Sequence, residues 1–404
     1  MKNKLALLTF CSGLLLSANA MAQTELEALR SEVDALNKKA QEWEAYQEPK
    51  KKLQNDVSFL SDKAREWEEW KAPKTLVHLA GFADVGYSQT QDGTGTFNVG
   101  SFSPIFHYQF ADKFMLEAEL DFDIDEAGKS EAGVDYLTVD WFVNDYLALV
   151  MGKFLSPLGQ FRQNLHPSWI NKVASAPVGF GHDQAAPNAD VGFMARGGYL
   201  LDSGISLNYS TYIANGPTLE AGATEVDMIE TPGLGVDGDG KKTVGGRFGM
   251  FFPLAKFEFG VSLATGKTSI RSGVAGSYSY DASRTYDVVG TDFIWRPANI
   301  DVRGEYIEQK IGSQSLSTVT EGGTWAAWYL QTAYRFSESS WEAVVRFSSY
   351  DTPADSSDVT QTALSANYLF ASNLIGKLSY EFNDNPNDGL IASDRQLVQL
   401  AYGF

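Results

Sequence analysis

From Leu76 onward, apolar and polar residues alternate with a period of two. Phe102, Pro104, Phe106, Tyr108 and Phe110 share one parity, and Ser103, Ile105, His107 and Gln109 the other. The same alternation carries Phe257-Phe259-Val261-Leu263, Trp341-Ala343-Val345-Phe347 and Leu374-Gly376-Leu378-Tyr380-Phe382. Successive side chains of a strand point to opposite faces, so this period predicts strands with one greasy face. Sixteen candidates follow, at about 76–90, 101–111, 113–125, 132–143, 146–154, 190–201, 204–215, 243–253, 255–266, 285–296, 298–310, 324–336, 340–350, 359–370, 373–383 and 393–404. An even number with both ends on one side is what a single-chain membrane barrel requires. In hydrocarbon every backbone polar group needs a partner, so such a sheet must close. The predicted fold is all-β: a 16-stranded antiparallel transmembrane β-barrel over 76–404. Short turns such as Ala111-Asp112 and Asn144-Asp145 alternate with longer connections, of which 155–189, 216–242 and 267–284 stand out.

Residues 25–74 follow a different rule. They lack glycine and are rich in Glu, Lys, Ala and Leu. Leu29, Val33, Leu36, Ala40, Trp43 and Pro49 recur 24 positions later as Leu53, Val57, Leu60, Ala64, Trp67 and Pro73. Within each copy the first five positions step by 4, 3, 4 and 3, the spacing of a coiled-coil seam. Pro49 breaks the two copies apart and Pro73 ends the second. One reading is an α-helical coiled-coil stalk over 23–75 joining several copies of the chain; the other is a pair of amphipathic helices packed on the barrel.

The two ends of the chain bear on its compartment. Lys2 and Lys4, the apolar run Leu5–Leu16 and Ala20-Met21-Ala22 form a secretory signal peptide over 1–22, with Ala18-Asn19-Ala20 as a rival cleavage site. The single cysteine, Cys11, lies inside it. The mature chain then offers no disulfide, thiolate nucleophile or Cys-based metal site. At the other end, Val398, Leu400, Tyr402 and Phe404 form an apolar stripe that stops on an aromatic, as Gram-negative outer-membrane barrels do. The expected location is the outer membrane, with the stalk in the periplasm. Removing Lys2 and Lys4 takes the formal charge from -19 to -21. Nucleic acid is therefore excluded as a partner. The expected partners are outer-membrane lipid and further copies of the chain, as a homotrimer. Peptidoglycan or periplasmic proteins are candidates for the stalk.

The candidate site residues are charges on the parity opposite the apolar stripes. Glu117, Glu119, Asp121, Asp123 and Asp125 line one face of the third strand. On a lipid face each would cost a few kcal/mol near the midplane, so they must face a wet lumen. Lys153, Arg196, Arg247, Arg303, Arg335, Arg346 and Lys377 hold the same position on other strands. Acids on one wall and bases on another would give a transverse field, and such walls set ion selectivity in pores. Alternatively, these charges solvate the interior or pair with one another. The connection 155–189 carries Pro157, Pro167, Pro177 and Pro187 with Arg162, His166, Lys172, His182 and Asp183. A structureless segment of that length is uncommon unless functional. It either folds into the lumen or lies on the outer surface. Glu117 with Glu119, and His166 with His182, are the only candidates for catalysis, and no HExxH or nucleophile elbow accompanies them. Asp237-Gly-Asp239-Gly resembles the start of a calcium loop without its remainder. No cofactor is expected.

GKFLSPLG at 152–159, GFMARGG at 192–198, the strand end Ala214-Asn215-Gly216, VGGRFGMFFP at 244–253 and the terminal strand resemble trimeric Gram-negative porins, and among them the phosphate-selective porin O and P family. The resemblance spans roughly 76–404. It implies a sixteen-stranded trimer with its third loop folded into the pore, sometimes preceded by a helical stalk. The implied function is passive diffusion of small hydrophilic solutes or ions, with no enzymatic activity. A structural role, with the stalk as envelope tether and the barrel as anchor, is the alternative. The family's phosphate members line the pore with a basic ladder. Here the barrel carries 20 bases against 39 acids, so phosphate specificity is not expected.

Overall fold

The computed structural model describes residues 75–404, apart from 92, 125–126, 223–225, 275, 354–357 and 385–392, together with residues 27, 29–39, 41 and 58. The chain divides into two compact units, Met1–Pro73 and Lys74–Phe404. In the first, every described residue is helical, and Leu29, Val33 and Leu36 are exposed. The expected signal peptide and most of the expected stalk lie outside the described residues.

The second unit is a closed barrel of sixteen strands, each paired to its sequence neighbour in the barrel. They are β1 (Thr75–Thr90), β2 (Thr96–Phe110), β3 (Phe114–Ile124), β4 (Ser130–Asn144), β5 (Leu147–Leu155), β6 (Ala189–Leu200), β7 (Ser206–Ala214) and β8 (Thr243–Phe252). Then come β9 (Phe257–Thr268), β10 (Arg284–Trp295), β11 (Ile300–Ile311), β12 (Gly323–Arg335), β13 (Trp341–Asp351), β14 (Val359–Ala371), β15 (Leu374–Asp384) and β16 (Arg395–Gly403). All sixteen match the strands expected from the period of two, with ends moved by a few residues. Closure runs from Phe82 opposite Gly403 to Thr90 opposite Arg395. Gly81 and Phe404 exchange two backbone hydrogen bonds of 2.9 Å at the seam.

Both barrel termini and the short turns share one end. In the first turn Ala111 and Asp112 both adopt positive φ, as a tight hairpin matched to strand twist requires. The longer connections share the opposite end. Among them 215–242 and 269–283 each hold a small hairpin, Thr218–Ala221 with Val226–Glu230 and Arg271–Ser272 with Ser279–Tyr280. The stripes Trp341-Ala343-Phe347 and Phe259-Val261-Leu263 are exposed on the outer face. Aromatic clusters gird that face near the short turns, for example Phe114 on Trp141 and Trp341 on Tyr368.

The interior is not uniformly wet. Val150, Phe154, Tyr286, Ile307, Ile311, Trp325 and Tyr329 point inward and form one buried apolar cluster with Phe161 and Phe180 of the connection 156–188. Phe161, Phe180 and Tyr329 meet edge to face at 5.1–6.0 Å. On β10–β12 the inward face is therefore mixed: Ile307, Ile311 and Tyr329 pack on this segment beside buried Asp292, Arg303, Glu305 and Gln309.

Candidate functional site

The connection 156–188 is bonded to inward-facing side chains around much of the barrel. Gly159 N–H donates to Ser262 on β9 at 3.0 Å, and the amides of Gln160 and Phe161 donate to Glu305 on β11 at 3.1 and 2.8 Å. Arg303 donates to the Ile170 carbonyl (3.2 Å), Gln309 to that of Gln184 (2.9 Å) and Asn367 to that of Lys172 (2.8 Å). Lys377 on β15 donates to the carbonyls of Ser168 and Val173. Arg346 on β13, fully buried, donates to the Ser175 carbonyl (2.8 Å), the Ser175 hydroxyl (2.9 Å), the Ala176 carbonyl (3.1 Å) and Gln361 (2.9 Å). Trp169 packs on Gly403 of the last strand, and His166 sits edge-on to Phe82 of the first. A buried loop leaves backbone groups that need partners, and here the barrel wall supplies them.

Local backbone makes this approach possible. Gly159 has φ +90°, and a Cβ there would lie 1.8 Å from the Glu305 carboxylate. Gly179 has φ +84°, and its Cβ would lie 2.2 Å from Ala327 on β12. Only glycine meets both the conformation and the clearance at these two positions.

The sequence-derived charges divide into two groups. Arg247 clasps Asp292 through two bonds (2.6 and 2.8 Å) and also bonds Asn208. Arg303 is held by Asp301 at 2.7 and 2.9 Å. Lys172 pairs with Glu342 at 2.8 Å, and Arg335 donates to the Ser339 carbonyl beside a short turn. With Arg346, these five side chains are spent on fixed partners.

The second group lies on the wall of β3–β6 and the segment facing it. Glu117 is 3.5 Å from His107 and 3.9 Å from Arg196, which bonds Asp140 at 2.5 Å. Asp121 accepts from Ser103 at 2.8 Å, and Asp123 is exposed. Asp125 lies outside the described residues. Lys153 donates to the Val134 carbonyl at 2.7 Å. Glu119, with 2 % of its surface exposed, lies 3.7 Å from His166 Nε2. Arg162 is in a π-helical turn, Phe161–Leu165, with its Nε and Nη2 buried and without hydrogen-bond partners. Burial pushes this guanidinium down to about 10, against the pull of Asp135, Asp183 and Glu305. It stays charged at neutral pH. His182 is held below its ordinary value by burial and by Arg162, and bonds Asn188 at 3.0 Å. Asp135, Lys153, Arg162, His166, His182 and Asn188 enclose a cavity of about 80 Å³. A larger one, about 790 Å³, opens toward the short turns between Glu117, Arg196, Arg247, Glu258 and Gln160.

Asp135 escaped the sequence reading. Strict alternation puts it on the same face as Leu137 and Val139, which point to lipid. A β-bulge changes this: Glu119 pairs with Tyr136 and Leu120 with Val134, leaving Asp135 as the extra residue. Bulges re-aim side chains in this way, and nothing in the residue types marks the position. The two carboxylates weighed for catalysis do not act as a pair, since Glu117 turns to His107 and Glu119 to His166. Asp237 pairs with Lys242 and accepts the Gly240 amide, while Asp239 accepts that of Lys241, so the acidic motif is folded onto its own loop.

No protein-family model and no curated protein matches the sequence. Solved structures do match. The loop L8 deletion mutant of OmpT, an outer membrane protein of Vibrio cholerae, aligns over 82 % of this chain and 99 % of its own, with TM-score 0.55 and 11 % identity. The outer membrane channel DcaP of Acinetobacter baumannii covers 82 % and 98 %, with TM-score 0.55 and 10 % identity. The anion-selective porin from Comamonas acidovorans covers 82 % and 100 %, with TM-score 0.54 and 13 % identity. The chain has the fold of the outer-membrane porins. At these identities the likeness is one of fold. Among the described residues, no helix is long and apolar enough to cross a membrane; the barrel strands form the apolar outer band instead.

Proposed function

We propose that the chain is a passive outer-membrane channel for small hydrophilic solutes or ions, narrowed by the inward-folded connection 155–189. The observation that carries this reading is the set of bonds from inward side chains of β9–β15 to the backbone of 159–184. A barrel serving only as an anchor has no use for a segment fastened across its interior. In this reading the segment closes the β9–β15 side, and solute passes between it and the wall of β1–β6. The lining is then Glu117, Asp121, Asp123, Lys153, Arg162 and Arg196. Arg247, Arg303, Arg335, Arg346 and Lys172 are scaffold. Three acids face three bases along this path, so a weak preference for cations rests on the barrel's overall excess of acids, 39 against 20, with Arg162 and Lys153 opposing it locally. Phosphate specificity has no support in this set.

The general asymmetry of such barrels, with short turns in the periplasm and long connections outside, supports periplasmic termini for this one. The stalk is then periplasmic. The exposure of Leu29, Val33 and Leu36 in the single chain supports a seam formed with other copies, and with it a trimer. Purified protein reconstituted in a planar bilayer tests the function. Stepwise conductance and a cation-favouring reversal potential in a salt gradient are expected. Absence of any conductance, with the barrel folded, refutes the proposal.

A further inference from the structure

We propose that Glu119, Asp135 and His166 form a binding site for a divalent transition-metal ion of the zinc class, where the inward segment meets the β3–β4 wall. Each residue offers one ligand atom, and these atoms lie within 4.8 Å of one another. Three further observations point to a ligand. Glu119 is almost wholly buried, yet its Oε1 has no hydrogen-bond partner. Both ring nitrogens of His166 are buried and unpartnered as well. Asp135 reaches the cluster only because a β-bulge turns it inward. Buried polar atoms normally have partners, so two orphans, Glu119 Oε1 and His166 Nε2, standing 3.7 Å apart call for an occupant.

The geometry suits a small ion. The separation of 3.7 Å between Glu119 Oε1 and His166 Nε2 is too long for a hydrogen bond. Two bonds of ~2.1 Å to a common zinc ion span at most about 4.2 Å, so this pair fits unchanged. At tetrahedral angles two such ligand atoms stand about 3.4 Å apart, so a separation near the 4.8 Å bound must close by up to about 1.4 Å, which side-chain rotation supplies. One imidazole and two carboxylates select zinc, manganese or iron(II) over calcium or magnesium, which prefer all-oxygen cages. The small cavity beside Asp135 and His166 leaves room for water to complete the coordination.

Lys153, Arg162 and His182 face the same cavity. Lys153 is engaged with the Val134 carbonyl, whereas Arg162 is free at Nε and Nη2 and opposes a cation. The site is therefore held to moderate affinity by its own wall, and removing Arg162 should tighten it.

The test is titration of the purified full-length barrel in detergent with Co²⁺, read by ligand-field absorption, and with Zn²⁺, read by elemental analysis after gel filtration. One ion per chain is expected. His166→Ala should abolish the absorption. Glu119→Gln should weaken binding by more than the roughly 10–100-fold seen when a group supporting a ligand is lost. Arg162→Gln should strengthen it. Heat-modifiable gel mobility verifies folding, and Asp135→Asn replaces any variant that fails it. The stacked pair His78 and His107, with Nδ1 atoms 3.3 Å apart, supplies the internal control. Binding that survives His166→Ala but is lost in His107→Ala overturns the proposal, as does no uptake at millimolar Co²⁺. These readouts need no conductance, so the site stands or falls independently of channel function.

Discussion

Arg346 is the most instructive point at which to loosen the inward segment. Arg346→Met keeps an unbranched side chain of similar length but removes all five donors. Two backbone carbonyls, of Ser175 and Ala176, lose a charged donor in a buried setting. An orphaned buried acceptor costs about 1–3 kcal/mol. Glu381, whose carboxylate lies 3.9 Å from the Arg346 guanidinium, is not orphaned, because Arg395 still binds it at 2.6 and 2.9 Å. Methionine recovers some packing, so a net cost of about 3 kcal/mol is a fair central value. The other ties, at Gln160, Ile170, Lys172 and Gln184, are untouched. The cost therefore falls on local opening of residues near 173–180, not on the barrel. At 1.4 kcal/mol per tenfold, the opening equilibrium shifts by roughly 150-fold. Native-state hydrogen exchange of those amides should accelerate by that order, while strand amides stay protected. Single-channel traces should show added flicker toward higher conductance. Acceleration below about threefold, with quiet traces, would refute the idea that Arg346 holds the segment.

Gly159→Ala combines a positive φ with a Cβ pressed on the Glu305 carboxylate; a loss of about 1–3 kcal/mol should lower the temperature at which heat-modifiable mobility disappears. Acidification should charge His182 only below the ordinary histidine value of about 6.5, because burial and Arg162 hold its proton affinity down. Sign follows directly: reversal potential moves toward anions as pH falls through that lowered value, and His182→Asn flattens the change. The unfolded chain takes up this proton first, so His182 also contributes less stability as pH drops below the ordinary value. Arg162→Gln removes a charge still present at neutral pH and should raise cation preference in a salt gradient. Deleting 23–74 should leave the barrel folded, since it closes without that unit, and the proposed trimer intact on native gels; dissociation to monomers would make the stalk essential.

The alternation of residues was enough to read the barrel, because lipid enforces it strand by strand: Phe102-Phe106-Tyr108-Phe110 admits one register only. Closure of the last strand on the first followed from an even strand number. The site was less legible. Arg303 and Arg346 have the right parity for a lumen, but parity cannot tell a water-facing guanidinium from one buried under a folded segment. Ile307, Ile311 and Tyr329 appear as apolar residues on the polar face, and that mixture was the available sign that part of the interior is dry. Asp135 gave no sign, because a bulge depends on pairing between strands and not on the type of one residue. Glu305, which binds two amides of the inward segment, is an ordinary inward acid until the segment's path is known.

The central claim is that residues 155–189 narrow a conducting lumen. Excising 158–186 and bridging the ends with a short glycine-serine linker, then comparing single-channel conductance with the intact chain at one salt concentration, tests it most directly. A markedly larger conductance with weaker ion preference is expected. Equal conductance in a folded, excised barrel would contradict it.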